Sequence, residues 1–312
     1  MSPAAGSPAP AYRGRFAPSP TGDLHFGSLV AAVGSFADAR AHGGLWLVRM
    51  EDLDLARQVK GAADSILRAL DAFGLTWDGP VLYQRTRREA YEEALERLHR
   101  LELAFPCGCS RQEVAAAGQA GAEGPVYPGT CRGGLPRGRR PRAIRVRTES
   151  PPIGFQDRIQ GFRTQDIARE VGDFVVRRAD GIPAYQLAVV VDDAFQGVNQ
   201  VVRGADLAGS APRQMLLQRY LGLPAPSYAH LPLALDERGN KLSKSCAAAP
   251  VDPRDPLPSL MQAWSFLGQI PMEEPPTGTE EFWRQALGSW EIARVPRQQA
   301  GGLAALPRSP RR

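Results

Sequence analysis

The sequence has few of the features that mark a membrane-spanning or disulfide-stabilised protein. Its most apolar run, residues 187–191, is stopped by Asp192 and Asp193 and is far shorter than the roughly 20 residues that cross a bilayer. Only four cysteines occur in 312 residues, and the Pro-, Ala-, Ser- and Gly-rich residues 1–10 contain no apolar signal core. These absences predict a soluble cytoplasmic protein with a disordered leader rather than a disulfide scaffold.

A strong excess of charge of either sign is also absent. Lys and Arg number 38 against 33 Asp and Glu, which gives a formal net charge of +5. This mild excess permits a polyanionic partner without requiring one. Apolar residues at 43% and charged residues at 23% are typical of a globular chain and exclude a wholly disordered or collagen-like one.

Strand-like and helix-like segments alternate along the chain and predict an α/β core that is split by an insertion. Asp23 either caps the first helix or lies just before it. Helical spacing predicts helices at residues 24–41, 62–73, 87–103, 210–221, 255–269 and 279–287. Apolar or alternating runs predict strands at residues 45–50, 143–147, 174–178, 185–191 and 230–235.

The first motif with chemical content is RFAPSPTGDLHFGS, residues 15–28, in which a Pro/Gly turn leads into a helix start rich in small residues. The exposed N–H groups and positive end of such a helix suit a phosphate. His25 could donate to a phosphate oxygen, and Gly27 leaves room for a nucleotide against the backbone. Taken alone, an ordinary strand–turn–helix with a surface histidine explains the motif more simply.

The second motif is KLSKS, which runs from Lys241 to Ser245. Two lysines and small hydroxyl residues on a Gly-led loop can hold the charge that builds on a leaving pyrophosphate. A solvated basic loop is the simpler explanation of this motif when it is considered alone.

Together and in this order, the two motifs resemble the HIGH and KMSKS signatures of class I aminoacyl-tRNA synthetases. Further blocks resemble the glutamyl/glutaminyl branch of that family: RFAPSPTG at 15–22, RMEDLD at 49–54, VVDD at 190–193 and VRGADL at 202–207. The resemblance covers roughly residues 12 to 250. It implies a Rossmann-like catalytic core in which ATP, with Mg²⁺, contacts His25, Gly27 and Lys244, assisted by Lys241.

The resemblance also implies a glutamate pocket, and the chemistry of the matching residues agrees with it. Arg15 and Arg203 can bind carboxylates, Glu51 can accept from an ammonium group, and Tyr185 can donate its hydroxyl. Outside this context, Glu51 or Arg203 alone would indicate a surface ion pair. Asp192 and Asp193 either face the site or have a structural role. The glutamate-binding positions carried over from the family are Arg15, Phe16, Ala17, Pro18, Ser19, Glu51, Tyr185 and Arg203.

Three cysteines, Cys107, Cys109 and Cys131, cluster in a spacing that suits tetrahedral zinc. The nearest histidine, His99, lies upstream on a predicted helix, so the residues alone do not identify a fourth ligand. That ligand could be a water molecule, or the three thiols could be unrelated and bind no metal. The family's Cys-x-Cys…Tyr-x-x-x-Cys pattern implies Tyr127 as that ligand. Such a zinc would be structural and would brace an insertion with little apolar content. The fourth cysteine, Cys246, is interpreted as incidental.

A crowded group of arginines follows the cysteines. It fits a tRNA backbone and equally fits a solvated loop with arginines on one face of a strand. The group consists of Arg137, Arg139, Arg140, Arg142, Arg145 and Arg147.

The choice within the branch rests on the 67 residues that follow Ser245. They do not accommodate the large anticodon-binding region of a full glutamyl-tRNA synthetase or the β-barrels of glutaminyl enzymes. The chain therefore resembles the truncated paralogues called glutamyl-queuosine tRNA(Asp) synthetases. The resemblance implies a ligase that activates L-glutamate with ATP without tRNA and transfers it to the queuosine base in the anticodon loop of tRNA(Asp). We expect a monomer.

Three alternatives differ in the experiment that would identify them. A truncated glutamyl-tRNA synthetase would charge a tRNA 3′ end. A catalytically inactive zinc- and RNA-binding module would not support ATP/pyrophosphate exchange. A small-molecule nucleotidylyltransferase shares a His-x-Gly-His motif and a basic loop, but the glutamate-type blocks and the cysteines disfavour it.

The resemblance divides the chain into a Rossmann-like catalytic core, a zinc-bearing insertion and a short helical C-terminal extension. The expected segments are a disordered leader (1–10), the first half of the core (11–103), the insertion with zinc module and acceptor-binding elements (104–183), the second half with the KLSKS loop (184–250), the helical extension (251–294) and a disordered tail (295–312).

Overall fold

A computed structural model of the chain describes residues 11–121, 123–149, 151–235, 250–298 and 300–302. Its helices are α1 (Phe26–Ala41), α2 (Ala62–Ala72), α3 (Arg88–Arg100), α4 (Arg111–Ala117), α5 (Ile167–Glu170), α6 (Tyr185–Phe195), α7 (Ser210–Leu221), α8 (Pro256–Phe266) and α9 (Thr279–Ser289). Within the described ranges, no helix is both long and apolar enough to cross a membrane.

The strands are short and fall into a central set and an inserted set. They are β1 (Arg13–Phe16), β2 (Leu45–Met50), β3 (Leu82–Tyr83), β4 (Ala104–Cys107), β5 (Ala120–Gly121), β6 (Gly124–Pro125), β7 (Ala143–Val146), β8 (Ile153–Asp157), β9 (Gly161–Gln165), β10 (Val175–Arg177), β11 (Gln200–Gly204), β12 (Ser227–Leu231), β13 (Leu233–Leu235) and β14 (Ala300–Gly302).

The central strands are parallel, and their order along the sheet extends to opposite sides of the neighbouring strands β1 and β11. Strand β1 pairs with β2, and β2 with β3, while β11 pairs with β12 on the other side. Strands β1 and β11 meet where the Asn199 amide donates to the Arg13 carbonyl at 3.1 Å. The strand order therefore reverses between β1 and β11, and a crevice at the carboxyl ends of these strands is the expected ligand site of such a sheet.

The main core packs α1 against this sheet, with α8 and α9 on its outer side. Small residues let α1 approach closely: a Cβ on Gly34 would lie 2.8 Å from Leu231 Cδ1. The fully buried Trp46 stacks edge-on against Phe36 and donates its indole N–H to Ser35 Oγ at 3.0 Å, so its polar atom is satisfied. The C-terminal helices are thus part of the core that supports α1.

The segment between β3 and α6 contributes a second, antiparallel sheet of order β10–β7–β4, with its own apolar cluster. The β8–β9 hairpin of this segment instead joins the central sheet, because β8 pairs with β12 at Asp157 and Tyr228. The hairpin therefore brings a residue of the predicted insertion to the edge of the catalytic sheet.

The prediction of a strand at residues 185–191 is wrong, because these residues begin helix α6. Leu187, Ala188, Val189 and Val190 are all buried, so the run lacks the polar positions that reveal helical periodicity. A short, wholly apolar segment with β-branched residues cannot be distinguished from a buried strand by its pattern alone.

Smaller expectations are decided as well. His25 is the N-cap of α1, so Asp23 lies just before the helix, where it accepts a hydrogen bond from Ser65. The predicted strand at 230–235 is divided into β12 and β13 by Pro232, which has no N–H to donate. Helices at 62–73, 87–103, 210–221, 255–269 and 279–287 are confirmed to within a few residues, as are strands at 45–50, 143–147 and 174–178.

The expected disordered tail at 295–312 is wrong over its first part. Val295 is buried in the main core, and β14 pairs in parallel with β13. Residues 303–312 lie outside the described residues, as do the leader at 1–10 and residues 236–249 with Lys241, Lys244 and Cys246.

Candidate active site and cysteine cluster

A cavity of about 610 Å³ opens at the strand reversal between β1 and β11. It brings together every predicted glutamate- and ATP-binding residue that the structure describes. These lining residues are Arg15, Phe16, Ala17, Pro18, Ser19, His25, Gly27, Glu51, Tyr185 and Arg203.

The fold explains why residues so distant in sequence meet here. Arg15 lies at the carboxyl end of β1, Glu51 directly follows β2, and Arg203 lies near the end of β11. The carboxyl ends of parallel strands share one edge of the sheet, so the three side chains converge. Tyr185 joins them from the first residue of α6.

Two lining residues of the cavity, Arg15 and Glu51, belong to a network of opposite charges that is buried behind them. Asp193 Oδ1 lies 3.2 Å from Arg15 Nε and 2.7 Å from a terminal nitrogen of Arg49, and Arg49 also approaches Glu51 at 3.5 Å. Gln196 accepts a further bond from Arg49 at 2.9 Å. Arg49 begins the RMEDLD block, but no site role is predicted for it from the sequence; the signal that could have indicated one is a charged residue inside the apolar run of β2.

The two carboxylates of this network have different protonation tendencies. Burial raises the pKa of Glu51 despite Arg49 and Arg15 nearby. Burial acts in the same direction on Asp193, but Arg15 and Arg49 outweigh it and lower the pKa of this carboxyl. Asp193 is therefore the fixed negative charge that orients the two arginines, while Glu51 would be held ionised by a cation bound beside it.

Asp192 faces away from this network and has a structural role. Its carboxylate accepts from Gln84 at 2.9 Å, from the Tyr91 hydroxyl at 2.6 Å and from Arg87 at 3.2 Å. These bonds tie α6 to α3 and the turn before it. The two adjacent aspartates, whose roles the sequence left open, thus serve different purposes.

Arg203 is held by neutral acceptors rather than by a counter-ion. Its Nε donates to His230 Nε2 at 3.1 Å, and its terminal nitrogens donate to Gln214 at 2.9 Å and to the Leu207 carbonyl at 3.1 Å. Within the described ranges, no carboxylate forms an ion pair with it, although the residue is only 4% exposed. A buried cation without a counter-ion at a cavity wall favours an anionic ligand.

The N-terminus of α1 opens on the same cavity. His25, Gly27 and Ser28 line it, and the first turn contains no acidic residue. His25 Nδ1 accepts from the Ser28 amide at 3.2 Å, so the ring is held beside the first turn. The positive helix end and its N–H groups suit a phosphate, as the sequence predicts.

Lys241 and Lys244 lie outside the described residues, but both flanks of their segment border this cavity. Leu233 and Ala234 of β13 line it, and Pro250 forms a β-bridge with His25. The described residues on either side of the lysine segment therefore lie at this cavity.

The three cysteines predicted to bind zinc are brought together in the inserted sheet. Their sulfur atoms lie within 4.8 Å of one another, and Cys109 and Cys131 are 3.7 Å apart. Two ligands of a tetrahedral zinc with Zn–S bonds of about 2.3 Å would lie about 3.8 Å apart. The Tyr127 hydroxyl is 3.4 Å from Cys107 and 4.0 Å from Cys109. The donor set and its spacing therefore fit a tetrahedral metal ion.

Electrostatics around the cluster favour thiolate ligands. Arg145 Nε donates to Cys107 Sγ at 3.3 Å, and Arg139 donates to Cys109 Sγ at 3.6 Å. Burial opposes ionisation of Cys107, but hydrogen bonds from Tyr127, the Cys109 backbone and Arg145 outweigh it and lower the pKa of this thiol. Burial and the neighbouring thiols raise the pKa of Cys109, so a bound cation would be needed to ionise the full set.

The arginine-rich group separates into structural and exposed members. Arg145 lies over the Tyr127 ring at 3.9 Å, Arg147 lies over the Phe105 ring at 5.0 Å, and Arg139 pairs with Glu113 at 2.8 Å. The remaining members at 137, 140 and 142 lie in the connection before β7. Half of the group is therefore engaged in holding the cysteine cluster and the inserted sheet.

Comparisons with known proteins agree with this geometry. A family model described as "tRNA synthetases class I (E and Q), catalytic domain" matches residues 11–255. A glutamyl-Q tRNA(Asp) synthetase of Dechloromonas aromatica (strain RCB) is 57% identical over 299 residues, which cover 95% of this chain and 98% of that protein. A protein of the same name from Geobacter sulfurreducens is 51% identical over 93% of this chain and 95% of its own length.

A solved structure is similar in fold over nearly the whole chain. The crystal structure of a glutamate tRNA ligase from Elizabethkingia meningosepticum, in complex with its amino acid, matches with a TM-score of 0.78 and 25% identity. The match covers 94% of this chain and 67% of that one.

Proposed function

This chain belongs to the family of class I tRNA synthetases for glutamate and glutamine, and we propose that it activates L-glutamate with ATP and transfers the glutamyl group to the queuosine base in the anticodon loop of tRNA(Asp). The observation that carries the first half is the charge of the cavity. Of the described residues that line it, Arg15, Arg57 and Arg203 are cationic and Glu51 and Asp206 are anionic, while Arg49 and Asp193 behind them form an ion pair. These described residues therefore carry one excess positive charge, which zwitterionic glutamate, with a net charge of −1, would neutralise. Glutamine, with no net charge, would leave it uncompensated.

Each group of glutamate has a complementary partner in this proposal. Arg203 and Arg15 receive the two carboxylates, and Glu51 accepts from the ammonium group, which favours the ionised form of this buried acid. Burial raises the pKa of Tyr185, so its hydroxyl remains a donor. The β1 end and the turn after it, with Phe16, Ala17, Pro18 and Ser19, form the adjoining wall.

In the first step, a glutamate α-carboxylate oxygen attacks the α-phosphorus of ATP, and the bond to pyrophosphate breaks. ATP enters as its magnesium complex, with its phosphates at the N-terminus of α1 beside His25 and Gly27. Lys244, assisted by Lys241, stabilises the charge that develops on the leaving pyrophosphate. The protein supplies positioning and charge rather than covalent chemistry.

In the second step, a hydroxyl of the queuosine cyclopentenediol attacks the glutamyl carbonyl and AMP leaves. Support for this acceptor comes from relatives named glutamyl-Q tRNA(Asp) synthetase, which match over 92% or more of their own lengths. The glutamate tRNA ligase of similar fold extends well beyond the matched region, since only 67% of it is covered.

We assign the cysteine cluster to one structural zinc held by Cys107, Cys109, Cys131 and Tyr127. Zinc would supply a tetrahedral crosslink between β4 and the loop before β7. The sulfur spacing and the flanking arginines support this ligand set. The described residues that line the cavity do not include these four, and we assign the metal a structural role.

The acceptor is tested by incubating the protein with ATP, labelled glutamate and unfractionated tRNA from cells that make queuosine and from cells that do not. Nuclease digestion then identifies the labelled nucleotide. We expect label on queuosine of tRNA(Asp) and none in the queuosine-free pool. Label on a 3′-terminal adenosine of tRNA(Glu) would favour a truncated glutamyl-tRNA synthetase.

A further inference from the structure

Arg203 and two side chains that do not line the cavity, His230 and Asp157, form a buried hydrogen-bonded chain across three strands. Asp157 of β8 binds His230 Nδ1, and His230 Nε2 accepts from Arg203 Nε at 3.1 Å. The three residues are 1%, 0% and 4% exposed. We propose that His230, oriented by Asp157, is a positioning residue that fixes Arg203 for a carboxylate of the amino acid substrate. The inference rests on the proposed function, because it assigns that carboxylate to Arg203.

The chemistry of the chain determines the protonation of its central ring. A guanidinium N–H can only donate, so His230 Nε2 must be an unprotonated acceptor. The single ring proton is therefore on Nδ1, where it is donated to Asp157. The Asp157 carboxylate is itself held by the amides of Ile159 at 2.9 Å and Gln160 at 2.8 Å. The ring is consequently neutral and in one defined tautomer.

The surroundings of the ring maintain that neutral state. Tyr228 is stacked on it at an interplanar angle of 7°, and Phe155 contacts it edge-on. Burial, together with Arg203 and Arg163, lowers the pKa of His230 against the opposing effect of Asp157. These are the charged groups of β8, β9 and β11 that face the ring.

A neutral acceptor at this position preserves the charge of Arg203 for a ligand. Gln214 and the Leu207 carbonyl fix the two terminal nitrogens, and His230 fixes Nε, so the guanidinium plane is held at three points. A carboxylate in place of His230 would hold Nε equally well but would neutralise the cation. Preorganised charge of this kind reduces the entropy that the substrate complex must lose.

The first test compares His230→Phe with His230→Gln in ATP/pyrophosphate exchange. Phenylalanine removes both ring nitrogens, and we expect the glutamate KM to rise roughly 10- to 100-fold, as for loss of a hydrogen bond to a charged group. The ATP KM should remain within about twofold. The glutamine amide oxygen can replace Nε2 as acceptor, so His230→Gln should retain most of the affinity for glutamate. The control His99→Gln, at an exposed histidine of α3, should leave both KM values unchanged.

The second test asks whether His230 acts through Arg203. In an Arg203→Ala background, His230→Phe should cause no further rise in the glutamate KM, because the group that it positions is gone. If the two substitutions instead raise the glutamate KM by independent factors that multiply in the double variant, the inference is overturned. Equal rises in the glutamate and ATP KM values, or a His230→Gln variant as impaired as His230→Phe, would also overturn it.

The third test does not depend on activity. Nuclear magnetic resonance of the wild-type protein with isotope-labelled histidine should show one ring, absent in His230→Gln, as the neutral Nδ1–H tautomer at neutral pH. An Nε2–H tautomer or a protonated ring would overturn the inference and leave glutamate activation intact. Conversely, the expected tautomer without glutamate-dependent exchange in the wild type would refute the proposed function and, with it, the assignment of the carboxylate to Arg203.

Discussion

Asp193→Asn removes one charge from the buried network under the cavity and leaves two arginines facing one another across it. Asp193 is within 3.2 Å of Arg15 and 2.7 Å of Arg49, and all three side chains are at most 5% exposed. Breaking a buried ion pair typically costs 3–5 kcal/mol, and we take about 3 kcal/mol because asparagine retains one acceptor oxygen. In a protein of this size, that loss corresponds to a fall in Tm of about 5 °C.

The assay is thermal unfolding at matched protein concentration, combined with glutamate and ATP KM values from pyrophosphate exchange. The control is Asp54→Asn, which removes a more exposed carboxylate paired with Arg57 and Arg178 and should shift Tm by at most about 2 °C. Asp193→Asn should also raise the glutamate KM, because Arg15 loses its anchor, and leave the ATP KM unchanged. Equal Tm shifts in the two variants with an unaltered glutamate KM would show that Asp193 does not anchor the buried arginines.

The same pair of proteins has a predictable pH dependence. The pKa of Asp193 is lowered in the folded protein, so its contribution to stability is fully present above its unfolded pKa of about 3.9. It is lost as the pH falls through the lower folded pKa, since the protonated acid resembles the amide. The Tm difference between wild type and Asp193→Asn should therefore be constant above about pH 5 and shrink only below pH 4.

The remaining expectations concern the predicted ligands one by one. Lys244→Ala should lower glutamate-dependent exchange several hundredfold, since removal of a transition-state charge partner costs about 3 kcal/mol. The control Lys60→Ala, at an exposed lysine, should leave exchange unchanged. Near-normal exchange in Lys244→Ala would exclude the role assigned to this lysine. Arg203→Ala should raise the glutamate KM far more than the ATP KM, and equal effects would argue against a carboxylate contact. One zinc should copurify with the wild type and be lost in Cys107→Ser, as measured by mass spectrometry of the metal; a folded, metal-free wild-type protein would contradict the site.

The sequence predicted the members of the cavity far better than it predicted what supports them. Arg15, Glu51 and Arg203 lie in recognisable blocks, and the fold brings them to one edge of the sheet. Their supports are scattered: Asp157 lies in an inserted hairpin, and His230 lies inside an apolar strand. Pairing between such residues depends on strand order, which local patterns do not reveal.

The errors in secondary structure have a common physical cause. Helix α6 is buried around most of its circumference, so the contrast between polar and apolar faces that indicates a helix is weak there. The order near Val295 is hidden by a Pro- and Arg-rich composition that is typical of a disordered tail. That composition gives no sign of the one buried valine or of the short strand added to β13. In both cases tertiary contacts, rather than local preference, decide the structure.

If one cavity binds ATP and an acidic amino acid together, the purified protein should catalyse ATP/pyrophosphate exchange without tRNA. We expect exchange with L-glutamate and little with L-glutamine at the same concentration, because only glutamate neutralises the excess charge beside Arg203. Exchange that is equally fast with both amino acids, or absent with glutamate, would contradict the account.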